Sequence, residues 1–308
     1  MEFGYIIITY ENIKEQILMN KGIRLGLEVE SSNSKNSSGF GSFLKNTKKF
    51  IAFTLAETLI VMGIIGVVAA LTIPNLNSST NNMEKVTKVK KIYAELNEAH
   101  NRATAVYGPL ETWFVNDICN VGSDCKDVQE RYYNRLTEFM KLQKDCGTTS
   151  TGCMPTSVKN LYGGNYPHIL DDTSCPRAIL SGGWSLNVIQ MYKEYGGSAY
   201  KGYNINKSAG LIFVDIDGPN KGKNIFGVDI FGFVVTSDGI YPDGGGSDWN
   251  DSSIKSGCFY YGYFCTAWII NTGNMDYLNT VTATTASNGG VCKNDSTKKL
   301  STTVTSCK

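Results

Sequence analysis

The sequence predicts an α+β protein in which one long N-terminal helix packs, along its second half, on a small antiparallel β-sheet with disulfide-stapled loops. Three observations predict this fold class. An apolar run of helical length is followed directly by a second helical stripe. Short strand-like segments then alternate with loops rich in Gly, Asn and Ser, and all nine cysteines fall in this later part of the chain.

The composition argues against several classes of function. The 308 residues carry a net charge of +1, so no overall field favours nucleic acid. The two histidines, His100 and His168, lie far from any cluster of further metal ligands. The sequence also lacks the short motifs of serine hydrolases, zinc proteases and phosphate-binding loops. We therefore expect neither an enzyme nor a nucleic-acid-binding protein.

Residues 1–52 form the first segment and precede the apolar run. They include a Ser/Asn/Gly-rich stretch at 31–42, which is typical of a flexible linker. Three lysines, Lys45, Lys48 and Lys49, stand just before the run. Because positively charged flanks stay on the cytoplasmic side of a membrane, we expect this N-terminal side to be cytoplasmic.

The apolar segment, residues 53–76, begins FTLAETLIVMGIIGVVAALTIP and carries a single charge, Glu57. About 20 apolar residues span a bilayer, so the segment predicts a single transmembrane helix. A carboxylate at the centre of such a helix costs about 2.5–3.5 kcal/mol, which makes Glu57 a candidate functional residue. The simpler alternative places Glu57 at the membrane interface of an ordinary anchor. Pro74 removes a helix hydrogen bond and is expected to kink or loosen the helix.

Residues 77–108 predict an amphipathic continuation of the same helix. Apolar residues recur there in steps of three and four, at Met83, Val86, Val89, Ile92, Tyr93, Leu96, Ala99, Ala103 and Val106. Gly108 and Pro109 then end the helix. This stripe is expected to pack on the C-terminal domain.

Residues 109–308 predict the globular domain. A second amphipathic helix is expected over 126–146, with Val128, Tyr132, Leu136 and Phe139 on one side. Strands are expected over 184–192, 210–216 and 231–242, the last containing a hairpin turn at Ser237, Asp238 and Gly239. The Thr/Asn/Ser-rich tail, 271–308, is expected to be loop.

The cysteines predict a disulfide-stapled domain in an oxidising compartment. None precedes Cys119, and no two are separated by just two residues. Four short gaps would each close a small loop, and Cys175 is then left over. The pairs are Cys119 with Cys125, Cys146 with Cys153, Cys258 with Cys265, and Cys292 with Cys307. Other connectivities stay open, because spacing alone does not fix them. So does the alternative of buried free thiols in a cytosolic protein.

The start of the apolar run resembles a known processing signature. Ala52-Phe53-Thr54-Leu55-Ala56-Glu57, preceded by lysines and followed by an apolar helix, is similar to the prepilin signature of type IV pilins and type II secretion pseudopilins. The resemblance implies that a prepilin peptidase cuts between Ala52 and Phe53, removes residues 1–52 and methylates the new amine. Two features depart from the family pattern: the residue before the cut is usually glycine, and the leader is usually shorter.

The resemblance also implies a function. The chain would be a structural subunit of a type IV pilus or a type II secretion pseudopilus, held first in the inner membrane and later in a periplasmic or cell-surface filament. Its partners would be identical or related pilin subunits, the prepilin peptidase, an inner-membrane assembly platform and membrane lipid. Glu57 would pair with the Phe53 amine of a neighbouring subunit and set the axial register. The alternative is a membrane-anchored or filament-tip binding protein of the adhesin type, stabilised by calcium.

A second candidate site lies between two predicted strands. Asp215, Asp217, Asn220, Asn224 and Asp229 offer oxygen ligands around a glycine-containing loop. Calcium takes six to eight such oxygens, and some pseudopilins hold a structural calcium in a comparable strand–loop region. The loop therefore predicts a candidate calcium site. The alternative is a loop of Asx turns with solvated side chains.

Overall fold

The computed structural model describes residues 55–114, 126–166, 175–192 and 209–308. Ala52, Phe53, Cys119, Cys125 and His168 lie outside these ranges. The chain divides into two compact units, Met1–Thr58 and Leu59–Lys308. Of the first unit, the described part is the short stretch 55–58.

Helix α1 covers Leu55–Tyr107, a single helix of 53 residues. Pro74 lies within it and does not end it. The helix ends where the sequence predicts, because Gly108 takes a left-handed backbone conformation with φ +82° and Pro109 follows. Among the residues that the structure describes, no helix combines the length and the apolar character needed to cross a membrane.

Six antiparallel strands form one sheet in which neighbours in sequence are neighbours in space. The strands are β1 (Leu142–Gly147), β2 (Arg177–Leu180), β3 (Ser185–Tyr192), β4 (Ala209–Asp215), β5 (Ile230–Thr236) and β6 (Gly239–Pro242). Every residue of β5 is buried, which fits its aromatic and β-branched sequence. The predicted hairpin between β5 and β6 is confirmed, with Thr236 paired to Gly239 across the turn.

The core lies between one face of the sheet and the helices. Helix α2 (Lys126–Thr137) packs there beside α1. Alternate positions of β4 and β5, such as Ile212, Val214 and Phe233, contribute the sheet side of this core. The predicted α1 stripe is confirmed in its middle, where the side chains of Val86, Val89, Ile92, Leu96, Ala99 and Ala103 are buried. It is wrong at its ends, because Met83 and Val106 are exposed.

The opposite face of the sheet carries a smaller apolar cluster that includes Phe213, Phe226, Ile230 and Cys175. Three short helical segments follow the sheet: α3 (Asp251–Ile254), a π-helical turn (Lys255–Tyr261) and α4 (Cys265–Thr272). Three 3-10 turns complete the described helices, at Leu110–Phe114, Gly246–Asp248 and Asp276–Asn279.

The helix predicted over 126–146 is too long. Helix α2 stops at Thr137, and the last part of the predicted helix forms the edge strand β1. The reason is a tertiary contact, since β1 pairs antiparallel with β2, placing Leu142 opposite Leu180. Neither β1 nor β2 is predicted by the sequence. The tail also holds more structure than the predicted loop, including the end of α4 and a bridge between Thr280 and Cys292.

Three of the four predicted disulfides are confirmed: Cys146–Cys153, Cys258–Cys265 and Cys292–Cys307. The fourth predicted pair, Cys119 with Cys125, falls outside the described residues. Cys175 is fully buried among apolar side chains. The three disulfides close short loops, with 7, 7 and 15 residues of sequence separation, and so restrict these segments covalently.

Candidate functional site

The start of α1, from Leu55 to Val68, is largely apolar and exposed. Nine large apolar side chains between Leu55 and Val68 have 53–80% of their surface exposed. The buried stripe of the same helix, from Val86 to Ala103, is exposed by at most 3%. Burying one such side chain stabilises a protein by about 1.5–3 kcal/mol. The nine exposed side chains of this stretch do not contribute that free energy to the folded chain on its own. Exposed apolar patches of this extent mark surfaces that meet a partner or a membrane.

The assembly residues of the sequence prediction, Glu57 and Pro74, both lie within α1. Glu57 is an exposed residue in the first helical turn. Gly63 and Gly66 lie further along, and a methyl group added at either would meet no atom within 4 Å. Pro74 is inside the helix. The predicted processing residues, Ala52 and Phe53, lie outside the described part of the chain.

The Asp-loop, residues 215–229, joins β4 to β5 and holds the predicted calcium residues. At its start, the Asp215 side chain accepts hydrogen bonds from the backbone N–H groups of Asp217 and Gly218, both at 3.1 Å. These bonds make an Asx turn, the alternative that the sequence leaves open. Gly218 has φ +83°, a conformation that disfavours other residues.

At the end of the Asp-loop, Asp229 binds three backbone amides. Its carboxylate accepts from Ile225 at 2.6 Å and from Asn224 at 3.0 Å, and also from Lys223. Gly222 is required here, because a Cβ at this position would lie 2.4 Å from Asp229 Oδ2. The same Cβ would lie 3.2 Å from Asp217 Oδ2, so the two carboxylates approach one another across this glycine.

Asp217 ties the Asp-loop to α1. Its Oδ1 accepts a hydrogen bond from the Lys88 ammonium at 3.1 Å, and its Oδ2 lies 4.0 Å from the Lys85 ammonium. Lys88 is also 3.2 Å from Glu84 one turn earlier. Desolvation lowers the pKa of Lys88, but its bonds to Asp217 and Glu84 outweigh that, and the net shift is upward. The loop is therefore anchored to the helix by charge as well as by packing.

Asp215 is fully buried, and its second oxygen, Oδ2, makes no hydrogen bond in the described residues. Burial, together with the negative charges of Asp229 and Asp217, raises the pKa of this carboxyl to about 7. Asn224 Oδ1 is a second buried oxygen without a described donor. Within the Asp-loop, these two oxygens are therefore available as ligands for a cation.

The fit to calcium is partial. The carboxylate of Asp229 accepts hydrogen bonds from backbone amides, and that of Asp217 pairs with lysines. Asn220 is exposed. Asp215 Oδ2 and Asn224 Oδ1 alone fall short of the six to eight oxygens that calcium takes. Within the described ranges, no three His, Cys, Asp or Glu side chains are grouped to hold a metal ion. Calcium at this loop stays a prediction.

His100 has a structural position that its sequence context does not reveal. It is buried in the middle of the α1 stripe, and its Nδ1 lies 3.2 Å from the Tyr132 hydroxyl of α2. The rings of Trp113 and Tyr132 lie beside it. Burial lowers the pKa of His100 to about 4, so the imidazole is neutral at neutral pH.

Comparison of the chain with protein-family models, with curated proteins and with solved structures gives no match.

Proposed function

We propose that this chain is a type IV pilin-like structural subunit. It is made as a precursor in the inner membrane, cut and N-methylated at Phe53, and assembled through α1 into a type IV pilus or a type II secretion pseudopilus. The globular domain then faces the periplasm or the cell exterior. Identical or related subunits, the prepilin peptidase, the assembly platform and membrane lipid are its partners.

The observation that carries this proposal is the division of α1 into two environments. One stripe of side chains from Val86 to Ala103 is buried by the domain, while the stretch from Leu55 to Val68 presents apolar side chains outward. A helix that is apolar all round belongs in lipid or in a packed bundle of helices. A pilin subunit uses both settings in turn, first the bilayer and then the filament core.

Glu57 supports the same proposal by its chemistry. A carboxylate placed among apolar helices is expensive unless it is paired. A cut before Phe53 would create an amine close to it in sequence, and the amine of a neighbouring subunit would compensate the charge of Glu57. Such a buried pair favours one axial register over the others. An ordinary anchor has no need of the carboxylate.

The disulfides support the proposed location. Three short-range bonds staple loops of the domain, and disulfides persist in oxidising compartments such as the periplasm and the cell surface. The competing function is a monomeric binding protein, anchored by the same helix or held at a filament tip. The filament subunit and the membrane-anchored binding protein differ in whether the chain assembles through α1.

Replacement of Glu57 tests the proposal. We expect Glu57→Ala and Glu57→Leu to abolish filaments, while the precursor still enters the membrane and the domain still folds. The matched control is Glu98→Ala, on the solvated face of the same helix, where Glu98 lies 3.6 Å from Arg102. Filaments are counted in sheared surface material by electron microscopy and immunoblotting. Normal assembly of the Glu57 variants would contradict the proposal and favour the anchored binding protein.

A further inference from the structure

A cavity of about 400 Å³ lies where α1 meets the Asp-loop. The residues that line it are Asn81, Asn82, Glu84, Lys85 and Lys88 of the helix, Asp217, Lys223 and Val228 of the loop, and Leu278 of the C-terminal part of the domain. Its volume is within the range of small-ligand sites, about 300–1,000 Å³. The wall combines a substantial apolar surface with three lysines and two carboxylates, so it suits a ligand that has both an anionic and an apolar part.

The position of the cavity along α1 narrows the choice of ligand. Burial of the helix by the domain begins at Val86, so the cavity occupies the edge of the domain nearest the apolar half. The apolar run of the sequence ends at Leu76. At 1.5 Å per residue, Lys85 follows it by about 13 Å along the helix. Helical side chains lean toward the N-terminus, which brings the Lys85 ammonium closer to the apolar run.

Two ammonium groups at the cavity have unused donors. Lys88 is satisfied by Glu84 and Asp217, both within 3.2 Å. Lys85 is 4.0 Å from Asp217, which exceeds hydrogen-bond distance, although just 20% of its side chain is exposed. Lys223 is exposed, and its ammonium makes no ion pair with any residue that the structure describes. The Asn81 and Asn82 amides add further donors beside them.

We propose that this cavity binds the phosphate group of an anionic phospholipid headgroup, in the leaflet from which α1 emerges. The inference rests on the proposed function, since it requires the apolar half of α1 to lie in a bilayer. Lys85 and Lys223 neutralise the phosphate, and the two asparagine amides donate to its oxygens. Val228 and Leu278 form an apolar part of the wall on which the glycerol carbons rest. The bound headgroup fixes the height of the domain above the membrane before assembly.

Lysine acetylation in nanodiscs tests the inference on the full chain. The protein is reconstituted in phosphatidylcholine alone or in phosphatidylcholine with phosphatidylglycerol, and acetylation by an N-hydroxysuccinimide ester is followed by mass spectrometry. We expect Lys85 to react at least threefold more slowly with phosphatidylglycerol. Lys91, which pairs with Glu95 on the exposed face, is the internal control for the general effect of surface charge. Lys223→Gln is expected to remove the protection of Lys85, and Lys91→Gln to leave it.

The other outcomes overturn the inference in distinguishable ways. Phosphatidylcholine carries the same phosphate but no net negative charge, so equal acetylation of Lys85 in the two lipid mixtures, in a protein that has inserted, overturns the site for an anionic headgroup and leaves the proposed function intact. Equal protection by inorganic phosphate in lipid-free detergent assigns the cavity to free phosphate instead. Unchanged protection in Lys223→Gln shows that the cavity does not bind the headgroup. A chain that fails to enter nanodiscs of either kind overturns the membrane anchor itself, and the inference with it.

Discussion

Tyr93 of α1 stacks on Phe233 of β5, with ring centroids 5.9 Å apart and ring planes inclined by 9°. The pair joins the long helix to a strand in which every residue is buried. Phe233 is itself fully buried, and Tyr93 packs against the same core from the helix side. The contact is thus a direct link between the helix that would assemble and the domain that it would carry.

Truncation of this pair should loosen the domain from α1. We expect Phe233→Ala to lower the free energy of unfolding by about 3–5 kcal/mol, because a large buried ring leaves a cavity. The matched control is Val106→Ala, at an exposed position of the same helix, which should change it by less than about 0.5 kcal/mol. Chemical denaturation followed by circular dichroism measures both. A loss below about 1 kcal/mol for Phe233→Ala would show that the helix is held elsewhere.

The ion pair between Asp217 and Lys88 should couple the Asp-loop to α1. A double-mutant cycle of Asp217→Asn and Lys88→Gln is expected to give a coupling energy of about 0.5–1 kcal/mol, since both groups are partly exposed. The coupling should shrink in 1 M salt, at a Debye length of about 3 Å. Strictly additive effects at low salt would mean that the pair does not hold the loop.

His100 should make the domain sensitive to acid. Its pKa is lowered to about 4 in the folded chain, below the unfolded value of about 6.5, so folding favours the neutral imidazole. The resulting stability is complete above pH 6.5 and is lost as the pH falls toward 4. Relative to the wild type, His100→Gln should lose less stability between pH 6.5 and pH 4. Identical acid profiles of the two proteins would contradict the buried, neutral histidine.

Asp215 should act in the opposite direction over an overlapping range. Its folded pKa of about 7 lies above the unfolded value near 3.8, so the folded state holds the proton more tightly. Below pH 3.8 the carboxyl is protonated in both the folded and the unfolded state, and the free energy of unfolding is at its highest with respect to this group. The free energy of unfolding then falls as the pH rises toward 7, because the unfolded chain releases the proton first. Asp215→Asn keeps an oxygen for the backbone amides and should remove this fall. Thermal unfolding of both proteins from pH 4 to pH 8 checks it, and parallel curves would contradict it.

Calcium bound at the Asp-loop would offset the loss of stability that ionised, buried Asp215 causes at higher pH. If the Asp-loop holds the ion, millimolar calcium should raise the melting temperature at pH 8, where a carboxylate is available, and much less at pH 5. Asp215→Asn should abolish the shift, and magnesium should not reproduce it, because magnesium demands a tighter octahedral site. A melting temperature that is unchanged by calcium at both pH values would leave the loop as an Asx-turn structure.

The parts of the fold that the sequence predicts are those set by local pattern. The period of Val86, Val89 and Ile92 marks a helix face, and that face is buried. The pattern does not say where the partner surface ends, so Met83 and Val106 are exposed against expectation. The local sequence does not predict strand β1, because its pairing with β2, which begins 35 residues later in the chain, is a tertiary contact.

The candidate site also has a part that the sequence predicts and a part that it does not. The sequence identifies the aspartates of the loop, since Asp and Gly between two strands predict a structured turn. It does not show which way each carboxylate points. Asp229 faces three backbone amides and Asp217 faces two lysines of α1, contacts that depend on the folded backbone. The buried position of His100 likewise depends on α2, which brings Tyr132 against the helix.

The N-terminal peptide of the protein tests the proposed processing at Phe53 most directly. The protein is taken from native membranes or from sheared surface material, digested, and analysed by mass spectrometry. We expect a peptide that begins at N-methylated Phe53, which would make residues 1–52 a removed leader. A chain that still carries residues 45–52 would contradict it, and the apolar run would then be the plain anchor of a binding protein.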